Sequence, residues 1–275
     1  GFNHIFSSAG DNTFLAELLA SAGPFEVLVA PSAASQNDWK RWFAFKDFAP
    51  LGYPRNDVLL REPTSADLIN TDKETYDLML AARRDKKPVI LYAPTFRDHK
   101  SPHWFESAKI EGLAQHCRAK GYFFCINLHP YEHHAIEELR ARYPDVRFIA
   151  PNTDAYPLIR LADVLITDYS SVAFDFLLLD RPLVFYRPDH EDYIAHARAL
   201  IPGREQYTPG DVTFDMPGLI AATDKAVTAA REPDADPFRK TRQALREKLY
   251  DHHDGKAGDR LADLLVKQVE EVCKA

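Results

Sequence analysis

Three short segments of the sequence carry the polar side chains that could do chemistry. They are "TDYSS" at 167–171, "YAPTFRD" at 92–98 and "NLHP" at 127–130. Each segment follows an apolar run that is typical of a buried strand, so each would begin where a strand ends. The first offers the hydroxyls of Ser170 and Ser171, the second a hydroxyl and a guanidinium, and the third an imidazole. All of these groups donate hydrogen bonds to phosphate oxygens, so together they suggest an anion site.

The serine pair begins an apolar, helix-like run at 170–180. A serine in this position can cap the helix by accepting a hydrogen bond from a backbone N–H group. The same hydroxyls, the unpaired N–H groups and the positive end of the helix dipole also favour a bound phosphate, so both interpretations stay open. Asp175 lies inside the run and needs a partner, which is either a sugar hydroxyl or an ordinary salt bridge.

Two further strand ends extend this set of donors. Thr95 and Arg97 follow the run at 88–95, and the planar guanidinium fork suits phosphate oxygens, although a surface pair of Arg97 with Asp98 is the structural alternative. His129 precedes a proline, which holds its backbone extended, and it could donate to a phosphate or act as an acid or base near neutral pH. Three strand ends that deliver such groups to one edge predict a diphosphate cradle.

An alternation of strands and helices positions these segments. Strands are predicted at 25–32, 88–95, 122–130, 146–151, 163–168 and 182–186, and helices at 36–45, 65–84, 104–121, 132–144, 154–162, 170–180, 218–232, 237–249 and 256–273. This alternation predicts an α/β fold, a Rossmann-like parallel sheet with helices on both faces. Ligands bind at the carboxyl ends of the strands in such sheets, which is where the three segments would meet.

The composition narrows the class of protein. The chain has 275 residues, 45% of them hydrophobic, and its net charge of −7 argues against nucleic-acid binding. Three cysteines without metal-ligand spacing argue against a disulfide framework and favour a reducing compartment. The pairs at 133–134 and 252–253 look metal-like, but His133 and His134 would point about 100° apart on a helix, so no metal is predicted.

Several motifs occur in the order found in CDP-glycerol glycerophosphotransferases, which polymerise teichoic acids and related capsules. They are "GYPRND" at 52–57, "YAPTFRD", "LHP", "ITDYSSVAFDFLLLDRPLVFY" at 166–186 and "DGKAG" at 254–258. The chain resembles this family from about residue 25 to 260. The resemblance implies a GT-B architecture, in which two Rossmann-like halves flank the active site, without a metal or cofactor. It assigns 1–60 to the tail of the N-terminal, acceptor-side half and 61–275 to the donor-binding half.

The resemblance also implies a reaction. An acceptor hydroxyl would attack the β-phosphorus of a CDP-alditol, which releases CMP and leaves a phosphodiester. The implied partners are CDP-glycerol or CDP-ribitol and a lipid-linked or polymeric alditol-phosphate acceptor; a homo-oligomer is left open. The implied location is the cytoplasm, peripheral on the inner face of the bacterial membrane. The implied site residues are His129 and Arg97 for catalysis, Thr95, Arg97, His129, Ser170 and Ser171 for the diphosphate, and Asp168 and Asp175 for the nucleotide.

One family motif has no counterpart here. The H-G-T-x-x-K-like element that bears the proposed base would precede Phe25, where His4 is a poor substitute. The chain is therefore predicted to be a fragment that binds the donor better than it turns it over. Two alternatives are kept. One is a GT-B glycosyltransferase or UDP-sugar 2-epimerase relative that uses a nucleotide sugar, and the other is a non-catalytic nucleotide-binding module.

Overall fold

The computed structural model of the protein describes residues 24–40, 43–95, 97, 110–129, 136–196 and 207–274. Within these ranges the strands form two parallel sheets, one of two strands and one of six. The small sheet pairs β1 (Phe25–Val29) with β2 (Phe45–Ala49). The strands of the large sheet are β3 (Val89–Ala93), β4 (Phe123–Ile126), β5 (Arg147–Phe148), β6 (Val164–Thr167), β7 (Leu183–Tyr186) and β8 (Asp211–Thr213).

Helices connect and cover these strands. In chain order they are α1 (Gln36–Lys40), α2 (Asp57–Leu60), α3 (Lys73–Arg84), α4 (Glu111–Lys120), α5 (Ile136–Arg142), α6 (Tyr156–Ile159), α7 (Val172–Phe176), α8 (His190–His196), α9 (Met216–Arg231), α10 (Arg239–Leu249) and α11 (Ala257–Lys274). A 3-10 turn, Leu177–Leu179, continues α7. Within the described ranges, no helix combines the length and the apolar character that crossing a membrane requires.

The order of the large sheet creates a crevice at its centre. The strands follow one another as β5-β4-β3-β6-β7-β8, and every neighbouring pair is parallel. The chain therefore moves outward from β3 in one direction, returns to β6 and moves outward in the other direction. Open α/β sheets bind ligands outside the carboxyl ends of the strands at this reversal. The predicted fold class, a Rossmann-like parallel sheet, is confirmed.

The core lies on both faces of this sheet because successive strand residues point to opposite sides. On β3, Ile90 and Tyr92 join a cluster with α4, α5 and α9, whereas Val89 and Leu91 join a cluster with α3, α6, α7 and α10. A strand that is covered on both faces has no polar side to show, which explains its continuous apolar sequence. The helices on the two faces thereby hold the strand ends in register.

The sequence prediction missed two short strands, β2 and β8, and two short helices, α2 and α8, and it made one helix too long. Residues 36–45 were predicted as one helix, but α1 ends at Lys40 and Phe45 begins β2, opposite Phe25 of β1. Only pairing with β1 distinguishes this segment as a strand; residues 41–42 of the prediction lie outside the described ranges. β8 has three residues, too few for a periodic pattern, and α8 was likewise missed.

Local capping fixed other boundaries. The predicted helix at 65–84 starts late because Asp72 caps α3, where its carboxylate accepts from the backbone N–H of Thr75 at 3.1 Å. The helix predicted at 104–121 is described from Glu111 and ends, as predicted, at Gly121, whose φ of 70° is left-handed. Residues 104–109 of that helix and 132–135 of the next prediction lie outside the described ranges.

The C-terminal part of the chain returns to the first part. The Asp57 carboxylate of α2 accepts hydrogen bonds from the backbone N–H groups of Ala257 (2.9 Å) and Gly258 (2.8 Å), which begin α11. The Asp251 carboxylate accepts from the backbone N–H of Ala33 at 2.7 Å. These contacts tie the segments around residues 33 and 57 to the segment at 251–258. The predicted division of the chain after residue 60 falls at the end of α2 and stays a prediction.

A matched pair of isoleucine substitutions tests the double-sided core. Ile90 of β3 is fully buried, whereas Ile69 is 83% exposed. We expect Ile90→Ala to lower the free energy of unfolding by about 2–5 kcal/mol, because it removes buried methyl groups and leaves a cavity. Ile69→Ala should change it by less than about 0.5 kcal/mol. Urea denaturation measures both, and equal losses in the two variants would contradict the assigned core.

Candidate active site

Asp168 joins the two strands that flank the central crevice. It follows β6, its side chain is 1% exposed, and its carboxylate accepts from the backbone N–H of Thr95, which follows β3, at 2.9 and 3.1 Å. The Thr95 hydroxyl donates to the same carboxylate at 2.6 Å. The two strand ends are therefore held together at the reversal of strand order. Asp168 uses its oxygens for protein groups here, and its predicted role at a nucleotide stays a prediction.

Arg97 is the second member of this buried cluster. Its side chain is fully buried, and Nη2 donates to Asp168 at 2.8 Å while Nε and Nη2 donate to Asp189 at 2.9 and 3.1 Å. Burial alone would lower the pKa of the Arg97 guanidinium, but Asp168 and Asp189 outweigh burial, so the pKa is raised. Nη1 also donates to the Thr95 carbonyl. Arg97 is thus a permanent cation between two carboxylates, and its predicted contact with a diphosphate stays a prediction.

Stacked aromatic rings support this guanidinium. The rings of Tyr169 and Tyr193 are parallel, with centroids 3.7 Å apart, and the Arg97 guanidinium carbon lies 5.4 and 4.6 Å from their centroids. The Tyr169 hydroxyl and Nδ1 of His190 are 2.8 Å apart. Tyr169 directly follows Asp168, whereas His190 and Tyr193 lie in α8. The segment after β7 therefore packs against Arg97 through Asp189 and Tyr193. The pKa of Tyr169 is raised, chiefly by burial, which keeps its hydroxyl protonated near neutral pH.

Ser170 and Ser171 lie next to this buried cluster and are half-buried. The Ser170 hydroxyl accepts one long hydrogen bond, 3.4 Å from the backbone N–H of Val172. Ser171 precedes α7 as its N-cap residue but makes no side-chain capping bond. The capping interpretation therefore accounts for little of this pair. Since α7 has five residues, the hydroxyls and local N–H groups matter more for an anion than the helix dipole does.

His129 reaches the same edge of the sheet from β4. It is exposed and stands three positions after Ile126, the last residue of that strand. β4 pairs with β3, so His129 belongs to the strand end next to that of Thr95. The structure thus brings His129, Thr95, Arg97, Asp168 and the serine pair to one edge, as predicted from the sequence.

Asp175 has protein partners, including a salt bridge with Arg55, which is one of the two alternatives left open by the sequence. It is buried, and one carboxylate oxygen accepts from Asn56 Nδ2 at 2.9 Å and from the Tyr250 hydroxyl at 3.1 Å. The other oxygen accepts from the Tyr156 hydroxyl at 2.7 Å and from Arg55 Nη2 at 3.3 Å. Burial, with Asp175 as the next cause, raises the pKa of both tyrosines, so both remain donors. The network favours the protein-partner interpretation, and the predicted nucleotide contact stays a prediction.

Sequence reasoning missed most of these supporting residues. Asp189 and Tyr193 lie in "RPDHEDY", which resembles a polar loop, and Tyr250 lies in the last connector of the chain. The segment "GYPRND" is one of the motifs that carry the family resemblance, yet no pattern in the sequence indicates that Arg55 and Asn56 contact Asp175. Only the partners of Asp175 could have been anticipated, because a carboxylate within an apolar helix requires hydrogen-bond donors in the protein interior.

Among the described residues, no group of three or more His, Cys, Asp or Glu side chains could hold a metal ion. His133 and His134 lie outside the described ranges. Nε2 of His252 and of His253 lies 3.1 Å from the backbone carbonyl oxygens of Pro50 and Tyr250, respectively.

A cavity of about 380 Å³ lies at the opposite edge of the sheet, near Leu183 and Asp211. These residues begin β7 and β8. The strand-end cluster is therefore separate from this cavity.

Comparison with known proteins gives a family match over most of the chain. A family model described as CDP-Glycerol:Poly(glycerophosphate) glycerophosphotransferase matches residues 5–267. A teichoic acid ribitol-phosphate primase of Bacillus spizizenii is 30% identical over 88% of this chain and 58% of its own length. A teichoic acid poly(glycerol phosphate) polymerase of the same species is 32% identical over 77% of this chain and 51% of its own length. The chain thus spans little more than half of each relative.

A solved structure shares the fold. The wall teichoic acid polymerase TagF superimposes with a TM-score of 0.72 at 23% sequence identity. The match covers 99% of this chain and 66% of that protein. The parallel sheet with helices on both faces is therefore an arrangement that this polymerase also adopts.

Removal of the buried Arg97 guanidinium should lower the free energy of unfolding. In Arg97→Ala the carboxylates of Asp168 and Asp189 lose their shared cation, and we expect the free energy of unfolding to fall by about 3–5 kcal/mol. Arg118→Ala is the control, because Arg118 is 66% exposed and its pair with Asp145 should contribute about 1 kcal/mol or less. Urea denaturation that gives similar losses for both variants would refute the bracing role of Arg97.

Proposed function

Because this chain belongs to the CDP-glycerol:poly(glycerophosphate) glycerophosphotransferase family, we propose that it binds a CDP-alditol at the crevice between β3 and β6. The full-length protein then transfers glycerol phosphate or ribitol phosphate to the hydroxyl end of a teichoic acid-like or capsular polymer. The observation that carries this proposal is the half-buried serine pair, with little internal hydrogen bonding, at the reversal of strand order.

The chemistry of phosphoryl transfer fits the groups at this edge. The acceptor oxygen forms a bond to the β-phosphorus, the bond from that phosphorus to the bridging oxygen breaks, and CMP leaves. The acceptor proton passes to a base, which the family resemblance assigns to an H-G-T-x-x-K-like element. Negative charge on the departing phosphate is stabilised by fixed N–H and O–H donors, and Ser170, Ser171 and His129 supply them.

The buried groups have a different part in this proposal. Arg97, Thr95 and Asp168 hold the ends of β3 and β6 at a fixed spacing, so that the serines keep their position without reorganisation. A direct contact between Arg97 and the diphosphate would require the guanidinium to leave two carboxylates. We therefore assign direct contact to the exposed and half-buried donors. The full-length protein would act on the cytoplasmic face of the membrane, where its lipid-linked acceptor lies.

Donor selectivity tests the proposal against nucleotide-sugar chemistry. We expect isothermal titration of this chain to give at least tenfold tighter binding of CDP-glycerol or CDP-ribitol than of UDP-glucose. The TagF structures include a variant soaked with CDPG, which supports CDP-glycerol as the first ligand to titrate. A preference for UDP-glucose would favour the glycosyltransferase or epimerase alternative. Binding of CDP-glycerol without CMP release by the full-length protein would favour the non-catalytic module.

The imidazole at the end of β4 provides a test of catalysis. In the full-length protein, His129→Ala should lower the rate of CMP release by about 10²-fold or more, because a donor to the transferring phosphate or an acid–base group is lost. His116→Ala is the matched control, since His116 bonds to Asp224 between α4 and α9. Undiminished CMP release by His129→Ala would show that this residue assignment is wrong.

A further inference from the structure

Arg55 contacts α7, the helix that follows the serine pair, although it comes from a different part of the chain. It belongs to a 3-10 turn, Pro54–Asn56, that leads from β2 into α2. Arg55 Nη2 lies 3.3 Å from one oxygen of Asp175, and Asn56 Nδ2 lies 2.9 Å from the other. The turn is therefore fastened to α7 by two side chains.

The helix geometry relates this contact to Ser171. Residues four apart share one face of a helix, and Asp175 is four residues after Ser171. Side chains on a helix lean toward its N-terminus, so the Asp175 carboxylate covers the turn that contains Ser171. The Arg55 guanidinium is therefore bound to the helix face that Ser171 also occupies.

Arg55 also has the hydrogen-bonding capacity that Arg97 lacks. Its side chain is 47% exposed; Nη2 donates to Asp175 at 3.3 Å, and the Tyr156 hydroxyl is its other polar neighbour. A guanidinium carries five N–H donors, so most of them remain for a ligand. Arg97, by contrast, is fully buried and donates to two carboxylates and a carbonyl. Of these two cations, Arg55 is the one that faces solvent.

The surroundings fix the position and charge of Arg55. Its guanidinium carbon lies 4.5 Å from the ring centroid of Tyr53 and 5.9 Å from that of Tyr156. Burial alone would lower the pKa of Arg55, but Asp175 outweighs it and the pKa is raised, so the group stays cationic. In the cluster of Arg97, Asp168 and Asp189, two carboxylates bind one guanidinium, so the charge of Arg97 is already compensated. The negative charge of Asp175, in contrast, is shared with Asn56 and two tyrosines.

We infer that Arg55 binds the diphosphate of the donor together with Ser171, and that Asp175 positions Arg55 instead of binding the nucleoside. This inference rests on the proposed function, because it names a further contact of the same donor site. Asp175 has four protein donors, two on each oxygen, so a ribose hydroxyl would have to displace one of them. The guanidinium that Asp175 holds is half exposed and carries more N–H donors than its protein partners accept. A planar fork of this kind matches two phosphate oxygens.

The test compares Arg55→Gln with Arg61→Gln. Arg61 is a matched control because it is also partly exposed and pairs with one carboxylate, Asp67. CDP-glycerol, CDP and cytidine are titrated against both variants and the unaltered chain, and thermal unfolding confirms that each is folded. A charge-assisted hydrogen bond corresponds to roughly a 10- to 100-fold change in affinity. Arg55→Gln should therefore weaken CDP-glycerol and CDP by about that factor and leave cytidine unchanged.

The outcomes separate this inference from the proposed function. If the unaltered chain fails to bind CDP-glycerol, the proposed function is wrong. If it binds and Arg55→Gln binds equally well, the role of Arg55 alone is wrong. An equal loss for CDP-glycerol and cytidine also overturns it, because Arg55 would then act only by holding the turn. In a double-mutant cycle with Ser171→Ala, a shared phosphate requires non-additive losses, whereas Ser65→Ala should be additive with Arg55→Gln. Additive losses for Arg55 and Ser171 would contradict the shared contact.

Discussion

The buried carboxylate of Asp168 sets the main constraint on this structure. A charged group without access to water must find hydrogen-bond donors inside the protein, and Asp168 finds them on Thr95, on Arg97 and on the backbone of Tyr169. Two of these partners follow β3, so the carboxylate fixes the spacing of the strands on either side of the crevice. The backbone that leads into Ser170 is fixed by the same contacts. The buried Asp168 carboxylate thus positions the candidate site.

Much of the fold could be predicted because its central strands are apolar throughout. β3, β4, β6 and β7 lie between two layers of helices, and this double burial leaves a pattern that needs no knowledge of partners. β2 and β8 could not be predicted in this way. Each is a strand because a neighbour offers unpaired backbone groups, and "FKDFA" and "DVT" have no periodic signature of their own. The family prediction, which rested on several motifs in order, is confirmed by the match over residues 5–267.

The positions of the candidate residues could be predicted from the sequence, but their environment could not. The rule that parallel strands end at one edge correctly predicted that Thr95, His129 and the serines lie at the same edge of the sheet. It could not reveal that Arg97 would be neutralised by Asp189, which lies 92 residues away in sequence. Asp175 likewise meets Asn56 and Tyr250, at separations of 119 and 75 residues. Such pairings depend on the tertiary fold, and they decide whether a charged side chain serves a ligand or the protein itself.

The bond between Asp57 and the start of α11 has a consequence for biosynthesis. The carboxylate and the backbone N–H of Ala257 are separated by 200 residues, so the acceptor leaves the ribosome long before its donor. At typical translation rates of about 5–20 residues per second, the interval is on the order of 10–40 s. During this time the central sheet can assemble from neighbouring βα units, whereas the turn that carries Arg55 lacks its final support. The hydrogen bonds of Asp57 to the N-terminus of α11 can therefore form only after the C-terminal helix emerges.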